Sequence, residues 1–377
     1  MLTKPLLRSD RRTTAAALGG FLGVIFGMVF AMATAEAATF VYVGNSDSQD
    51  VTVLALKANG DLAPVATVAV PGPSKPGGSL PMAVSPDNKR LYVGLRNEPY
   101  SVVTFTIDRK SGKLTLAGSG PLADSMAYIA TDRTGRYLLS ASYGGNKVTV
   151  NPIGPNGVVG NAQQTIATQS NAHAIITDPS NKFVLHTSLG GDVVYQQKFD
   201  AKTGTLSPNT PPTVSVKAKG GPRHLVFSPD KKFVYLLDEL SGAIHVFPWD
   251  AKTGTMKPEV QGASSLPKDF SGKPWAADIH LTPDGKYLYA SERTTSTLAA
   301  FSVDKKTGAL KAVGTYPTEK QPRGFNIDPS GRYLLSAGQL SNSLTAYSID
   351  KKTGALVKLK EYPMGKNPNW GEIVKLP

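Results

Sequence analysis

Apolar and polar residues alternate in short runs along most of this chain, which is the pattern of β-strands packed in sheets. β-branched and aromatic residues dominate the runs, and no long stretch after residue 40 has the spacing of a helix. One unit contains four such runs, at residues 213–216, 225–227, 233–237 and 243–247. The pattern therefore predicts an all-β protein in which each unit contributes four short strands.

Two phrases recur along the chain, out of step with each other. The first has the form apolar-Asp-x-Lys-Thr-Gly-x-Leu, and its seven copies lie at 56–62, 108–114, 152–158, 199–206, 250–256, 304–310 and 350–356. Gly adopts the positive φ that a tight hairpin needs, so this phrase predicts a turn between two strands. The second phrase, Pro-Asp/Ser-x-Lys/Arg before an aromatic residue, begins near residues 86, 133, 179, 229, 283 and 329.

A repeat of roughly 50 residues with four strands is typical of a β-propeller blade. The second phrase has one copy fewer than the first, because nothing precedes the first strand at 40–43. The C-terminal run 370–376 reads as a lone strand that completes the first blade, and this closure removes exposed sheet edges. We predict a seven-bladed β-propeller with four-stranded blades, closed by the N- and C-terminal strands, in one domain over 38–377. A double-layer sandwich does not explain seven equal units.

Residues 1–37 have the pattern of an export signal. Four basic residues precede an apolar stretch at 15–33, and the tripeptide at 35–37 is an A-x-A cleavage site. An uncleaved anchor is the alternative, since the stretch is nearly long enough to span a bilayer. The pair Arg11-Arg12 matches the twin-arginine signal only weakly, because no Phe-Leu follows it. Cleavage predicts a periplasmic or secreted protein without stable membrane insertion.

The amino-acid composition limits the types of catalysis and of partner that this chain can have. The chain has no cysteine, which excludes disulfides and thiolate catalysis. Its formal net charge of +13 indicates either a generic solvated lysine surface or attraction of anionic ligands or an anionic envelope surface. No basic run is interleaved with aromatic residues, so we expect no nucleic-acid partner. We expect a monomer that uses no cofactor.

Propeller geometry brings two sets of loops to one face, which we call the upper face. In each blade the segment leading into the innermost strand and the turn after the second strand open there, beside the central channel. The chemistry-bearing residues of these loops are His173, Arg223, Asp278, His280 and Arg323 in the lead-in segments, and Glu239, Glu292 and Arg293 in the turns. Arg offers forked donors to carboxylate or phosphate, and His173 or Glu239 is placed to take a proton from water. The alternative is a set of structural ion pairs around a water-filled channel.

The remaining histidines are interpreted as structural rather than functional residues. His224 follows Arg223 directly, so strand alternation predicts that it points the opposite way and is buried between blades. His186 and His245 are expected to be packing or surface residues. Three histidines (His173, His224 and His280) with Asp278 keep a cation site open as an alternative, but their spacing is not clustered and we predict no metal.

Three lead-in phrases carry a family resemblance: 220–227 (Gly-Gly-Pro-Arg-His-Leu-Val-Phe), 275–285 and 321–328. They closely resemble the seven-bladed propeller 6-phosphogluconolactonases, a family that also includes the fungal carboxy-muconate cyclases, and the resemblance runs from about Thr39 to the C-terminus. It implies the same fold and a catalytic set of one His, two Arg and one Glu. These fall on His173, Arg223, Arg293 and Glu239. We then expect Asp278, His280 and Arg323 to bind substrate.

The resemblance implies hydrolysis of a sugar-acid lactone, in which water attacks the ring carbonyl, a base takes its proton and Arg stabilises the oxyanion. The predicted export departs from the cytoplasmic members, since phosphorylated sugars are scarce outside the cytoplasm. An unphosphorylated aldonolactone is therefore an alternative to 6-phosphogluconolactone. A non-catalytic periplasmic propeller, acting as a ligand-binding or scaffold module, remains the rival interpretation because fold does not fix function.

Overall fold

The computed structural model describes residues 38–73 and 77–377, which form seven antiparallel sheets arranged as a seven-bladed β-propeller. The predicted export signal at 1–37 lies outside the described residues. Within the described residues there is no helix long and apolar enough to cross a membrane. The all-β, seven-bladed prediction is confirmed.

The first four blades are numbered along the chain. Blade 1 contains β1 (Ala38–Asn45), β2 (Asp50–Leu56), β3 (Leu62–Ala69) and the C-terminal β29 (Pro368–Leu376). Blade 2 contains β4 (Met82–Val84), β5 (Arg90–Leu95), β6 (Ser101–Ile107) and β7 (Leu114–Pro121). Blade 3 contains β8 (Met126–Thr131), β9 (Tyr137–Ser142), β10 (Lys147–Pro152) and β11 (Gln164–Ala167). Blade 4 contains β12 (Ala172–Thr177), β13 (Phe183–Ser188), β14 (Val193–Asp200) and β15 (Thr205–Ser215).

The last three blades follow the same order. Blade 5 contains β16 (Pro222–Phe227), β17 (Phe233–Asp238), β18 (Ala243–Asp250) and a split outer strand, β19 (Thr255–Met256) and β20 (Gln261–Ser264). Blade 6 contains β21 (Ala276–Leu281), β22 (Tyr287–Glu292), β23 (Thr297–Val303) and β24 (Leu310–Pro317). Blade 7 contains β25 (Pro322–Ile327), β26 (Tyr333–Gly338), β27 (Ser343–Ile349) and β28 (Leu356–Pro363).

Burial follows the position of each strand within its blade. The second strands of blades 3 to 7 are buried at every residue, because neighbouring blades cover both faces of each sheet. This is why a run such as Phe233–Asp238 is apolar almost throughout rather than alternating. The outer strands of blades 2, 6 and 7 expose much of their length. The core is thus divided into layers between blades, and the innermost strands line the central channel.

The two recurring phrases meet at the boundaries between blades. Gly308, in one Lys-Thr-Gly hairpin, has a φ of 78°, and a Cβ built on it would lie 2.6 Å from the ring of Phe233 in the preceding blade. Tyr235 of the same strand donates its hydroxyl hydrogen to the Gly308 carbonyl at 3.0 Å. The same glycine–aromatic contact recurs at Gly60–Tyr333, Gly112–Phe40, Gly204–Tyr137, Gly254–Phe183 and Gly354–Tyr287. Each pair locks one blade onto the next.

The ring is closed as the sequence predicts. The C-terminal β29 pairs antiparallel with β1 along its whole length, from Ala38 opposite Leu376 to Asn45 opposite Pro368. It becomes the innermost strand of blade 1, so the end of the chain forms part of the channel wall. The one exposed edge that an open blade would leave at β1 is therefore paired.

Candidate active site

β-Bulges at the upper ends of the innermost strands shape the channel mouth. The pairing register shifts between Ala172 and Ile175, between Pro222 and His224, and between Pro322 and Gly324. The residues in the shifted segments include His173, Arg223 and Arg323. A bulge turns a side chain away from the regular alternation, and here it directs three predicted site residues toward the mouth.

Three more side chains come from residues that directly follow the second strand of a blade. Arg96 follows β5, Glu239 follows β17 and Arg293 follows β22. Glu239 joins the two sets through one carboxylate oxygen: its Oε2 accepts a hydrogen bond from Arg223 Nε at 2.7 Å and from Arg293 Nη2 at 2.8 Å. The prediction that Arg223 and Glu239 share one mouth is confirmed.

These ion pairs are buried rather than exposed at a rim. Arg223 is 1% exposed, Arg293 4% and Glu239 8%. Burial alone would raise the pKa of Glu239, but the charges of Arg223 and Arg293 outweigh it and hold the pKa below its usual value. Arg293 also donates to the Trp275 carbonyl at 3.0 Å, and its guanidinium lies 4.0 Å from the centroid of the Trp275 ring. The cluster is therefore rigidly held and Glu239 stays ionised.

The mouth carries more positive than negative charge. Burial, followed by repulsion from Arg223 and Arg293, lowers the pKa of Arg323, and Arg96 acts on it in the same sense. Arg96 itself is held by the hydroxyls of Ser79 and Ser125. Glu239 thus faces an excess of positive charge: it pairs with Arg223 and Arg293, and the charge of Arg323 also acts on it. Glu292 does not offset this excess through a direct ion pair, since its oxygens accept hydrogen bonds from the backbone N–H groups of Trp275 and Thr295. Such an excess of fixed donors suits an anionic, oxygen-rich ligand.

His173 lies at the inner edge of this cluster. It is 3% exposed, and its ring centroid is 5.1 Å from that of His224 and 5.9 Å from that of Tyr143. Burial, followed by the charge of Arg223, lowers its pKa well below the usual value, so the imidazole is neutral. The predicted set of His173, Arg223, Arg293 and Glu239 is thus brought together in one site.

Asp278 and His280 lie deeper than predicted. They were expected on the upper face, but both lie within β21 and line a cavity of about 440 Å³ formed by the lower halves of the innermost strands. Asp278 Oδ2 is 3.2 Å from His280 Nε2, and its Oδ1 is 2.8 Å from His224 Nδ1. The lead-in segments continue as strands that run down the channel, which carries these residues away from the mouth.

The prediction for His224 is wrong. Its ring packs at 5.2 Å from Tyr128 and 6.2 Å from Trp370, which belong to blades 3 and 1, so it faces the channel and not a blade boundary. The bulge at Arg223 shifts the strand by one residue, and this shift cancels the alternation on which the prediction rested. His186 and His245, by contrast, make packing and polar contacts away from the channel: His186 stacks on Tyr195, and His245 bonds Asp238.

Sequence reasoning missed several channel residues. A smaller cavity of about 190 Å³ is lined by Tyr128, Asn326, Trp370 and Glu372 together with the His224–Asp278 pair. The sequence did contain a signal for them: residues two apart in a strand share a face, so Asp278 lies on the same side as His280, and Trp370 on the same side as Glu372. Among the described residues, no group of three or more His, Cys, Asp or Glu side chains is arranged to hold a metal ion.

A closed propeller whose channel mouth holds four arginines, a carboxylate and a histidine defines an enzyme-type ligand site rather than a bare platform. Residues 40–373 match the family described as "Lactonase, 7-bladed beta-propeller", and the chain belongs to this family of lactonases.

Named relatives agree with this assignment. A 6-phosphogluconolactonase of Serratia proteamaculans (strain 568) is 42% identical over 288 residues, covering 76% of this chain and 84% of that protein. A 6-phosphogluconolactonase of Yersinia pseudotuberculosis serotype O:3 (strain YPIII) is 41% identical with the same coverage. The solved structure of a periplasmic gluconolactonase of Pseudomonas aeruginosa has a TM-score of 0.83 and 26% identity, and the match covers 90% of this chain and 100% of that one.

Proposed function

We propose that this chain hydrolyses a sugar-acid lactone, 6-phosphogluconolactone or a related aldonolactone, at the upper mouth of its channel. The observation that carries the proposal is the buried pairing of Arg223 and Arg293 with Glu239, with Arg323 and Arg96 close enough to act on the same arginines, beside a neutral histidine. Ester hydrolysis creates negative charge on the carbonyl oxygen, and guanidinium groups fixed in a buried site stabilise that charge without rearranging. Arg223 and Arg293 are the proposed oxyanion donors.

The remaining groups have distinct roles in this proposal. Arg323 and Arg96 bind the anionic or hydroxyl-rich part of the substrate. Glu239 is a poor base, because two ion pairs hold its carboxylate and lower its pKa. Its role is to orient Arg223 and Arg293. An imidazole therefore takes the proton from water, and His173 is the candidate that the family resemblance implies. Asp278 and His280 bind the substrate where it reaches into the channel.

The cellular location of the enzyme bears on whether its substrate is phosphorylated. We propose that residues 1–37 direct export and that the enzyme acts in the periplasm or outside the cell as a monomer. The named relatives allow both substrates, since two are 6-phosphogluconolactonases and one is a periplasmic gluconolactonase. Export favours the unphosphorylated lactone. Cell fractionation with an intact mass of the recovered protein tests location and cleavage, and light scattering tests the monomer.

The central test is an assay of acid release from gluconolactone and from its 6-phosphate, with and without a chelator. The enzyme should exceed spontaneous hydrolysis on at least one lactone, and chelator should have no effect. Arg293→Lys is the informative variant, because it keeps the charge but loses the forked contacts, and it should lower kcat/KM at least tenfold. Rates equal to the background on both lactones would overturn the proposal and leave a non-catalytic binding or scaffold module as the alternative.

A further inference from the structure

A second histidine in the channel is better equipped for proton transfer than His173. Asp278 is held by four donors: its Oδ1 faces His224 Nδ1 at 2.8 Å and the Ile279 N–H at 3.0 Å, and its Oδ2 faces His280 Nε2 and the Phe325 N–H, each at 3.2 Å. A carboxylate fixed in this way orients the imidazole that it contacts. It also selects the tautomer, because a proton on Nδ1 toward Asp278 leaves the lone pair on Nε2.

The free nitrogen of His224 points to a ligand. His224 is 6% exposed, and its Nε2 is buried without a hydrogen-bond partner among the described residues. The residue lines both the larger and the smaller channel cavity. A buried polar atom without a partner carries a desolvation cost that a bound group removes.

Two further side-chain nitrogens near His224 are buried and lack a hydrogen-bond partner within the described part of the chain. His173 Nδ1 and Arg323 Nε are also buried without hydrogen-bond partners among the described residues. The rings of His173 and His224 are in contact, and the charge of Arg323 acts on His173. The three residues that carry these unpartnered nitrogens therefore lie near one another, where the mouth meets the channel. A lactone with its attacking water offers the acceptors and the donor that these atoms lack.

We propose that His224, oriented by Asp278, is the general base of the lactonase reaction and that His173 binds the substrate. The inference rests on the proposed function. Water attacks the lactone carbonyl carbon and forms the new C–O bond while its proton passes to His224 Nε2, and the carbonyl electron pair moves to the oxygen held by guanidinium. When the tetrahedral intermediate collapses, the ring C–O bond breaks and the ring oxygen takes the proton back from His224. The product is the hydroxy acid, and every atom is accounted for.

The surroundings of the two histidines favour His224 over His173 as the general base. His173 has no carboxylate contact in the described structure, and Arg223, Arg293 and Arg323 all oppose a positive charge on its ring. Burial, followed by the charge of Arg223, lowers the pKa of His224 to about 4, so its imidazole is neutral, while the contact with Asp278 acts in the opposite sense and stabilises the imidazolium that forms during proton transfer. This arrangement of carboxylate, imidazole and free nitrogen is that of an oriented base.

Steady-state kinetics on the full chain test the assignment, with gluconolactone as the probe. His224→Gln should lower kcat on the order of 100-fold with KM changed less than threefold, and Asp278→Asn should lower kcat at least tenfold. His173→Gln should act mainly through a raised KM. His245→Gln is the matched control, because His245 also contacts a buried Asp but lies outside the channel, and it should retain the wild-type kcat.

A second readout does not depend on folding of the variants. Diethylpyrocarbonate should inactivate the wild-type enzyme in step with modification of His224, as identified by peptide mass, and gluconate should protect. A His224→Gln enzyme within threefold of the wild-type kcat, or inactivation that follows His173 instead, would overturn the inference while the lactonase proposal stands. A wild-type chain that hydrolyses no lactone would overturn both.

Discussion

Glu239 is the residue on which the charge balance of the channel mouth depends. It neutralises part of the repulsion between Arg223 and Arg293, and both ion pairs use the same oxygen. Buried ion pairs differ from surface pairs in one respect: removal of one partner leaves the other charge desolvated and unpaired. Ligand binding and stability are therefore coupled at this site, because an anion bound in the mouth would, like Glu239, neutralise part of the positive charge of the arginines.

We predict that Glu239→Gln lowers the free energy of unfolding by about 2 to 4 kcal/mol, since two buried guanidinium groups lose their counter-charge. Urea denaturation measures the change. Glu361→Gln is the control: its ion pair with Lys358 spans 3.1 Å at an exposed position, so the cost should be about 0.5 kcal/mol or less. A Glu239→Gln protein as stable as the control variant would show that the cluster is dispensable for folding.

Glu372 gives the channel a pH-dependent group. Burial raises its pKa to about 7, against the lowering effects of the Trp370 hydrogen bond and His280. Between its ordinary pKa of 4.5 and about 7, the unfolded chain releases a proton that the folded protein retains, so this contribution to stability is complete below pH 4.5 and is lost as the pH rises to 7.

Glu372→Gln should therefore gain stability relative to the wild type as the pH rises from 4.5 to 7, by up to about 3 kcal/mol. Urea denaturation of both proteins at several pH values measures the difference. The pKa of Glu361 is lowered, by its Ser343 contact and then by Lys358, so Glu361→Gln should change in the opposite sense and by less. A constant difference between Glu372→Gln and wild type across this range contradicts the prediction.

At the scale of strands and turns, the sequence predicts the framework but not the bulges. Lys-Thr-Gly marks its hairpins because only a residue free to take positive φ fits there, and the number of units fixes the number of blades. Bulges at residues such as Arg223 carry no comparable signal, since any residue type can occupy them. The error for His224 follows directly. The depth of Asp278 was missed for another reason, since the sequence does not show where the lead-in segment becomes β21. Arg96 was missed because a single arginine after a strand looks like an ordinary surface residue.

The interlock between blades predicts a large effect for a small change. Gly308→Ala places a methyl group 2.6 Å from Phe233 at a φ of 78°, so both a ring clash and backbone strain oppose it. We expect a loss of about 2 to 4 kcal/mol in the free energy of unfolding. Gly144→Ala is the control, because a Cβ there would meet nothing within 4 Å. Equal midpoints in urea for the two variants would show that the hairpins do not lock the blades.

For the whole molecule, the sequence predicts closure because only a paired β1 leaves the ring without an open inner edge. The structure adds that the closing strand also carries channel residues. Trp370 packs at 5.4 Å from Tyr128 across the channel, and Asn369 accepts a hydrogen bond from the Leu80 N–H of blade 2. Stability of the ring and formation of the channel therefore depend on the same nine residues, Pro368–Leu376.

Removal of residues 366–377 should abolish the cooperative thermal transition. β1 would lose its inner partner, and the core residues Phe40, Tyr42 and Val374 that form one layer between blades 1 and 2 would be exposed or lost. Circular dichroism and scanning calorimetry measure the outcome, and deletion of Pro377 alone, which lies outside β29, is the control that should melt like the full chain. Addition of a peptide spanning 366–377 should restore part of the transition, because the vacated edge of β1 is a template for strand pairing. If the truncated chain melts cooperatively within a few degrees of the full chain, the ring does not depend on its closing strand.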